Sequence, residues 1–434
     1  CTDQTNFIMN SLSEKDTQNI WHPFTQLEGG AQPLLIERAA GIYLHTSDGR
    51  KIIDAISSWW VNLHGHSHPV IADAVAQQAR KLEHVIFAGF THEPAITLSE
   101  NLLSILPKSF CKIFYSDNGS TAVEVALKMA MQYWHNQGVP RKTIIALEGS
   151  YHGDTFGAMA VGDRSIFTAP FTPFLFDVKF IPFPTTQSRE QVINHFKTLV
   201  NSTDAAAFIY EPLIQAAGGM RMYPAEILNE LIDLAQLNDV ICIADEVFTG
   251  FGRTGKIFAS DHLTLKPDLV ALSKGLTGGT LPLGVTAVSE KILTAFRNND
   301  FTKTFFHGHS FTGNPLACAA ANASFKLLLD DDCQKRIKEI AEQHRTFAGK
   351  ILEQKAVHEV RTLGTILAIE LKTPEKTSYS NSIREKIYSY FLERNILLRP
   401  LGNTFYIVAP YCITASQLSD VYQTIENFLE VLTE

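Results

Sequence analysis

No stretch of this chain approaches the run of about 20 apolar residues that a membrane-spanning helix needs. It has no block of basic residues, and its formal net charge is −8. Nucleic acid and anionic membrane surfaces are therefore not expected partners. The six cysteines (Cys1, Cys111, Cys242, Cys318, Cys333 and Cys412) are scattered, and none forms a C-x-x-C pair. With Cys242 inside the apolar run VICIA, they read as reduced and mostly core cysteines. The opening CTDQTNFIMNSLSEKD is polar and lacks the charged-then-apolar order of a signal peptide. These absences lead to the expectation of a cytoplasmic protein. There is no internal repeat, no low-complexity linker, no G-K-[ST] phosphate loop and no G-x-S-x-G nucleophile turn.

What the chain does have is enough apolar material for a large core: 45% apolar against 19% charged residues over 434 positions. At roughly 150 residues per domain, that length allows two or three domains. Residues 1–20 read as mobile. Short strand-like runs in 33–62, with the turn signal Ser47-Asp48-Gly49 between two of them, predict a small antiparallel piece. Pro69 opens a helical pattern, with Val70, Ile71, Ala74, Val75 and Leu82 in phase. Strand-like runs then recur at 111–116, 143–147, 205–211, 240–246 and 268–273, with helical patterns between them, such as 225–237. That alternation predicts an α/β fold with a mainly parallel sheet covered on both faces. Beyond about residue 330, a charged amphipathic helix, two strand-like runs and a last helix opened by Thr414-x-x-Gln417 predict a smaller α+β domain. The expected division is residues 1–66 as an N-terminal part of the small domain, 67–329 as the large domain, and 330–434 as the C-terminal small domain.

In open α/β sheets, ligands bind beyond the carboxyl ends of the strands. The residues at those ends are informative. The 111–116 run leads into Asp117-Asn118-Gly119-Ser120, AAAFIY into Glu211, VICIA into Asp245-Glu246, and DLVALS into Lys274. The Gly119-Ser120 turn opens an apolar helix from about residue 121, with Thr121-x-x-Glu124 matching a capping box. A buried helix N-terminus suits a phosphate, although a plain capped helix gives the same pattern. Lys274 by itself could be a snorkelling lysine, and Asp245 a turn cap. Together they describe a pyridoxal 5'-phosphate site. A desolvated lysine forms a Schiff base, a buried carboxylate holds a pyridinium nitrogen protonated, and a helix N-terminus holds the phosphate.

The stretch VICIADEVFTGFGRTG…KPDLVALSKGLTGGTLPLG resembles the signature of class III pyridoxal-phosphate aminotransferases of fold type I. The resemblance covers the chain from about Trp21. Several stretches resemble the members that aminate 8-amino-7-oxononanoate in biotin biosynthesis: IWHPFTQ, SSWWVNLHGHSHP, SDNGSTAVEVALKMAMQYW, GSYHGDTFGAMAVG, EPLIQAAGGMRMYP, HGHSFTGNPLACAAA and LLRPLGNTFYIVAP. The resemblance implies that Lys274 is the Schiff-base lysine and proton carrier, that Asp245 pairs with the pyridine nitrogen, and that Tyr151 stacks on the ring. It places Gly119 and Ser120 at the phosphate and Glu211 beside Asp245. Ser310 would reach the phosphate of a neighbouring subunit's cofactor, so a homodimer is implied, and His309 is implied as a further cofactor-binding residue. Arg399 is the implied clamp for the distal carboxylate of the keto acid. Trp59 and Trp60 would wall its apolar chain, and Gly308 would leave it room.

Two stretches depart from the best-known pattern of that group. Phe24 stands where a tyrosine is usual, and His309-Ser310 stand where Pro-Thr is usual. Both changes resemble the members that take lysine as amino donor, whereas the Trp59-Trp60 pair resembles the users of S-adenosylmethionine. S-adenosylmethionine is the expected donor, with lysine as the alternative. Another ω-amino acid aminotransferase and an inactive cofactor-binding homologue are further alternatives. Two other signals are set aside. GFGRTG matches G-x-G-x-x-G but is not flanked by strand and helix, which counts against a nicotinamide dehydrogenase. His64, His66 and His68 could be read as a metal row, but Gly65 and Pro69 argue for a structural loop, and no metal is expected.

Overall fold

A computed structural model describes residues 12–30, 32–201 and 204–433. Cys1 and residues 1–11 lie outside the described residues, so the expectation for 1–20 applies only to its second half. There, residues 12–19 are helical.

The apolar runs form the strands of one seven-stranded sheet. Its order is Phe110–Ser116, Gly284–Ser289, Leu269–Leu272, Ile241–Asp245, Ala205–Tyr210, Thr143–Leu147 and Val178–Ile181. The last five strands run parallel. Gly284–Ser289 is antiparallel to both of its neighbours. The four strands from Ala205–Tyr210 to Gly284–Ser289 are buried at every position. Successive side chains point to opposite faces, so each strand feeds two cores. Ile243, Leu269 and Ala271 pack under the helix Gly119–Asn136. Cys242, Val270 and Leu272 belong to the core that also holds the helices Arg189–Val200 and Ala225–Leu237. The expected α/β class and mainly parallel sheet are what the chain adopts.

Three local expectations need correction. The helix opens at Gly119, not 121, and its capping box is Asn118 with Thr121. Glu124 is drawn away from that role: its Oε1 accepts from the backbone N–H of Gly157 (2.7 Å) and Ala158 (3.0 Å). Val70 is exposed, because the helix Pro69–Lys81 buries only a narrow stripe around Ile71. The strand Gly284–Ser289 was not anticipated.

The strands Ile36–Ala40, Tyr43–Thr46 and Lys51–Asp54 form the expected antiparallel piece. A fourth strand, Ile396–Leu397, joins it in parallel from the far end of the chain. A second sheet holds Val357–Leu363, Ile366–Leu371 and Thr404–Ile407, all antiparallel. The helices Asp331–Ile351 and Ala415–Val431 pack together beside it, with Phe347 stacked on Tyr422 at 4.1 Å. The Thr414–Gln417 capping box forms as expected. Cys242 and Cys318 are buried, while Cys111, Cys333 and Cys412 are half-buried; all five are free thiols.

Candidate active site

Because three fully buried strands lie side by side in parallel, their carboxyl ends open on one crevice. Glu211, Asp245 and Lys274 therefore share a cavity of about 460 Å³. The N-terminus of the helix Gly119–Asn136 opens on it with Gly119 and Ser120, and Tyr151 and His152 complete this side of the lining.

Asp245 is fixed from two directions. Its Oδ1 accepts from the N–H of Val247 at 3.0 Å, and its Oδ2 lies 2.7 Å from Nδ1 of His152. His152 was not singled out from the sequence. The signal was its place beside Tyr151 in YHGD. Its other ring nitrogen, Nε2, is buried and has no partner among the described residues.

Lys274 follows its strand in a left-handed conformation, with φ 43°. Burial lowers its ammonium pKa, opposed by the carboxylates of Asp245 and Glu211. Its Nζ sits 5.3 Å from the centre of the Trp60 ring. Glu211 accepts from the N–H of Tyr151 and of Ala216, each at 3.0 Å. Burial pushes its carboxyl up to about 7, with His152 opposing.

The end of the cavity at Gly119 and Ser120 is built by close approach. Gly153 has φ 127°, and a Cβ there would lie 2.0 Å from Ser120 Oγ. A Cβ on Gly119 would meet Val247 at 2.7 Å. Only glycine leaves room at either position.

The Trp pair sits on an unusual turn. Ser57, Ser58, Trp59 and Trp60 have φ values of 52°, 44°, 72° and 74°. Four successive L-residues in the left-handed region cost roughly 1–2 kcal/mol each, so the turn must be held from outside. Trp60 is 4% exposed and packs against Phe248 at 4.8 Å. Trp59 is 38% exposed, 5.5 Å from Phe24 and 4.7 Å from the Arg399 guanidinium. Phe24, Trp59 and Arg399 thus meet one another, but none of them is part of the cavity lining, which Trp60 alone of the pair joins. Arg253, inside the GFGRTG stretch, is fully buried and donates to the carbonyls of Trp60, Asn62 and Ala409 at 3.0–3.1 Å. That stretch is a run of turns and bends followed only by the short 3-10 helix Ala259–His262, not by the α-helix that a dinucleotide fingerprint needs.

Gly308, His309 and Ser310 are not part of the cavity lining. They lie on a loop tied down by His92, whose Nε2 is 2.7 Å from the carbonyl of Gly313. The three histidines of the 64–68 row do not share one partner, although the rings of His64 and His68 lie 6.2 Å apart, edge to face. His64 pairs with Ser324 and His66 with Asp54, while His68 precedes the helix Pro69–Lys81. No metal-binding group of side chains occurs among the described residues.

A partly buried amine of lowered pKa, a fixed carboxylate, an aromatic side chain and a helix N-terminus kept open by glycines fit pyridoxal 5'-phosphate in chemistry and in size. The comparisons agree. Residues 26–429 match the family Aminotransferase class-III. The chain is 47% identical over 420 residues to the adenosylmethionine-8-amino-7-oxononanoate aminotransferase of Synechococcus elongatus, covering 95% of this chain and 98% of the other. It is 37% identical over 436 residues to the protein of that name from Helicobacter pylori, with 98% of both chains covered. The crystal structure of adenosylmethionine-8-amino-7-oxononanoate aminotransferase from Methanocaldococcus jannaschii superposes with a TM-score of 0.92 at 35% identity, over 97% of this chain and 99% of that one. The omega transaminase of Pseudomonas jessenii has the same fold at 24% identity and a TM-score of 0.92, over 97% and 98% of the two chains. Class-III aminotransferases depend on pyridoxal phosphate, and this chain belongs to that family.

Proposed function

We propose that this aminotransferase converts 8-amino-7-oxononanoate to 7,8-diaminononanoate in biotin biosynthesis, with S-adenosylmethionine as amino donor. The observation that carries the reading is the convergence of Lys274, Asp245 and the Gly119-Ser120 helix start on one cavity that Trp60 also lines, with Arg399 stacked on the adjoining Trp59.

When bound, pyridoxal phosphate supplies a carbonyl for the incoming amine and a ring that takes up the electron pair released at the substrate carbon. The chain supplies the rest. Lys274 Nζ, kept uncharged more readily by its lowered pKa, would carry the proton between the amine-bearing carbon of the substrate and the cofactor carbon on the other side of the shared nitrogen. The Asp245 carboxylate, pinned by His152 and Val247, holds a proton on the pyridine nitrogen. Gly119 and Ser120 bind the phosphate through the helix N-terminus. Tyr151 covers one ring face, and Glu211 fixes the backbone at Tyr151 through its hydrogen bond. Arg399 grips the distal carboxylate in a two-point geometry that lysine lacks. Trp59, Trp60 and Phe24 enclose the apolar chain.

The active unit in this reading is a homodimer in which Gly308, His309 and Ser310 serve the partner's site. Ile86, Phe90, Phe306 and Phe311 support it, since all are more than half exposed. Residues 67–329 form the large domain, with 1–66 and 330–434 together forming the small one. The pairing of Ile396–Leu397 with Lys51–Asp54 supports that division. No helix among the described residues is long and apolar enough to cross a membrane. We place the protein in the cytoplasm, in keeping with its free thiols.

A half-reaction experiment tests the substrates. The pyridoxal form is mixed separately with S-adenosylmethionine and with lysine, and its visible absorbance is followed. Then 8-amino-7-oxononanoate is added to the bleached form. Bleaching by S-adenosylmethionine and recovery with the keto acid are expected. Bleaching by lysine alone would make Phe24, His309 and Ser310 the better guides to the donor. No recovery with the keto acid would overturn the acceptor.

A further inference from the structure

The left-handed turn Ser57–Trp60 contains no glycine, so its conformation is imposed by contacts outside it. Its own backbone bonds run from Trp60 N to Ile56 O at 2.8 Å and from Val61 N to Ser57 O at 2.9 Å. The external contacts centre on one carboxylate. Asp54 is completely buried, and it accepts from three groups that bracket the turn. Its Oδ1 takes the N–H of Ile56 at 3.2 Å, just before the turn. Its Oδ2 takes the hydroxyl of Ser58 at 2.6 Å, inside the turn. The same oxygen lies 2.9 Å from Nε2 of His66, in the loop that follows. Ser57 adds a bond of 2.6 Å from its hydroxyl to the carbonyl of Val408.

The two tryptophans depend on this turn unequally. Trp60 is wedged between Phe248 and Tyr406, so its ring is located by packing whatever its backbone does. Trp59 is 38% exposed against 4% for Trp60, with Phe24 at 5.5 Å and the Arg399 guanidinium at 4.7 Å as its ring and cation neighbours among the described residues. Its place therefore depends more on the backbone than that of Trp60 does, and a residue upstream that slips back to negative φ redirects it. None of the groups around Asp54 lies in the cavity that holds Lys274.

We propose that Asp54 and Ser58 are positioning residues for the acceptor site: their hydrogen bond locks the left-handed turn that presents Trp59 beside Arg399, and so sets keto-acid affinity without touching substrate. This rests on the role given above to Trp59 as a wall of that site. Loosening the lock removes binding energy shared by ground state and transition state, so KM rises while kcat stays nearly constant.

The test is Ser58→Gly. Glycine accepts positive φ without strain but cannot bond Asp54, so the two effects on stability oppose each other while the positioning is simply lost. The expected result is a Tm within a few degrees of wild type, because relieved backbone strain offsets most of the lost bond, a KM for 8-amino-7-oxononanoate raised about tenfold, and a kcat within about threefold of wild type. Ser58→Asn, which tolerates the left-handed region and still donates, should restore most of the KM. A second readout needs neither cofactor nor substrate: acrylamide quenching of tryptophan fluorescence in a Trp21→Phe background, where Trp59 is the most exposed indole. Quenching should increase in Ser58→Gly. An unchanged KM with unchanged quenching would overturn the proposal. So would a Tm that falls in proportion to the rise in KM, because the bond would then be a support for the fold alone. If the wild-type protein does not use the keto acid, the proposed function fails, and the quenching comparison still decides the positioning.

Discussion

His152 Nδ1 and Asp245 Oδ2 lie 2.7 Å apart, both side chains buried, at the floor of the cavity. A charge-assisted hydrogen bond between buried groups is worth about 1.5–3 kcal/mol, roughly a tenfold to hundredfold effect. His152→Ala should therefore lower cofactor affinity by about that factor while the protein stays folded. Fluorescence titration of the apoprotein with pyridoxal phosphate measures it. Asp245→Ala should lose turnover altogether, so the two variants separate the group that acts on the ring from the group that holds it.

Lys274→Ala should bind the cofactor without a covalent link and lose turnover. Borohydride reduction followed by intact mass reads the link directly: the wild-type chain gains the cofactor mass and the variant does not. Substantial turnover in Lys274→Ala would remove Lys274 from the chemistry.

Arg399→Ala removes the guanidinium that stacks on Trp59. Loss of a two-point carboxylate contact costs about 2–3 kcal/mol, so KM for the keto acid should rise roughly hundredfold. A donor without that distal carboxylate should be affected far less. Steady-state kinetics with each substrate varied in turn checks this, and equal effects on both would take the clamp role from Arg399.

Glu211 predicts a pH dependence of stability. Burial raises its folded pKa to about 7 from 4.5. Between those values the folded state keeps a proton that the unfolded chain releases. Stability from this group is therefore greatest below pH 4.5 and is lost as pH climbs to about 7, on the order of 3 kcal/mol in all. Glu211→Gln should flatten the fall in Tm over that window. The comparison is thermal unfolding of both proteins from pH 5 to 8, and parallel curves would show that Glu211 does not titrate there.

Much of this site was legible because its residues sit at strand ends, and apolar strands are easy to read. The runs ending at Tyr210, Asp245 and Leu272 announce both a buried strand and the polar group beyond it. What topology alone brings together was not legible. Nothing local pairs His152 with Asp245, 93 positions apart. The left-handed turn left no trace either, since SSWW lacks glycine and takes its shape from Asp54. Gly284–Ser289 was missed because GVTAVS follows a Gly/Pro-rich turn and starts with glycine, which marks it as loop. Glu124 looked like a cap by spacing, but two N–H groups from another segment bind it more tightly than its own helix start.

The parallel pairing of Ile396–Leu397 with Ile53 and Asp54 also governs how the chain is made. The first three strands leave the ribosome early, yet their fourth partner is roughly 340 residues away. At about 5–20 residues per second that is roughly 20–70 seconds of synthesis. Through that interval the Lys51–Asp54 edge stands open as a template for any passing strand. The carboxylate that steadies the tryptophan turn sits on that same edge. The Trp59 turn is thus among the last parts of the molecule to be completed, and a nascent chain truncated before residue 396 would carry Lys274 and Asp245 but an unfinished support for that turn.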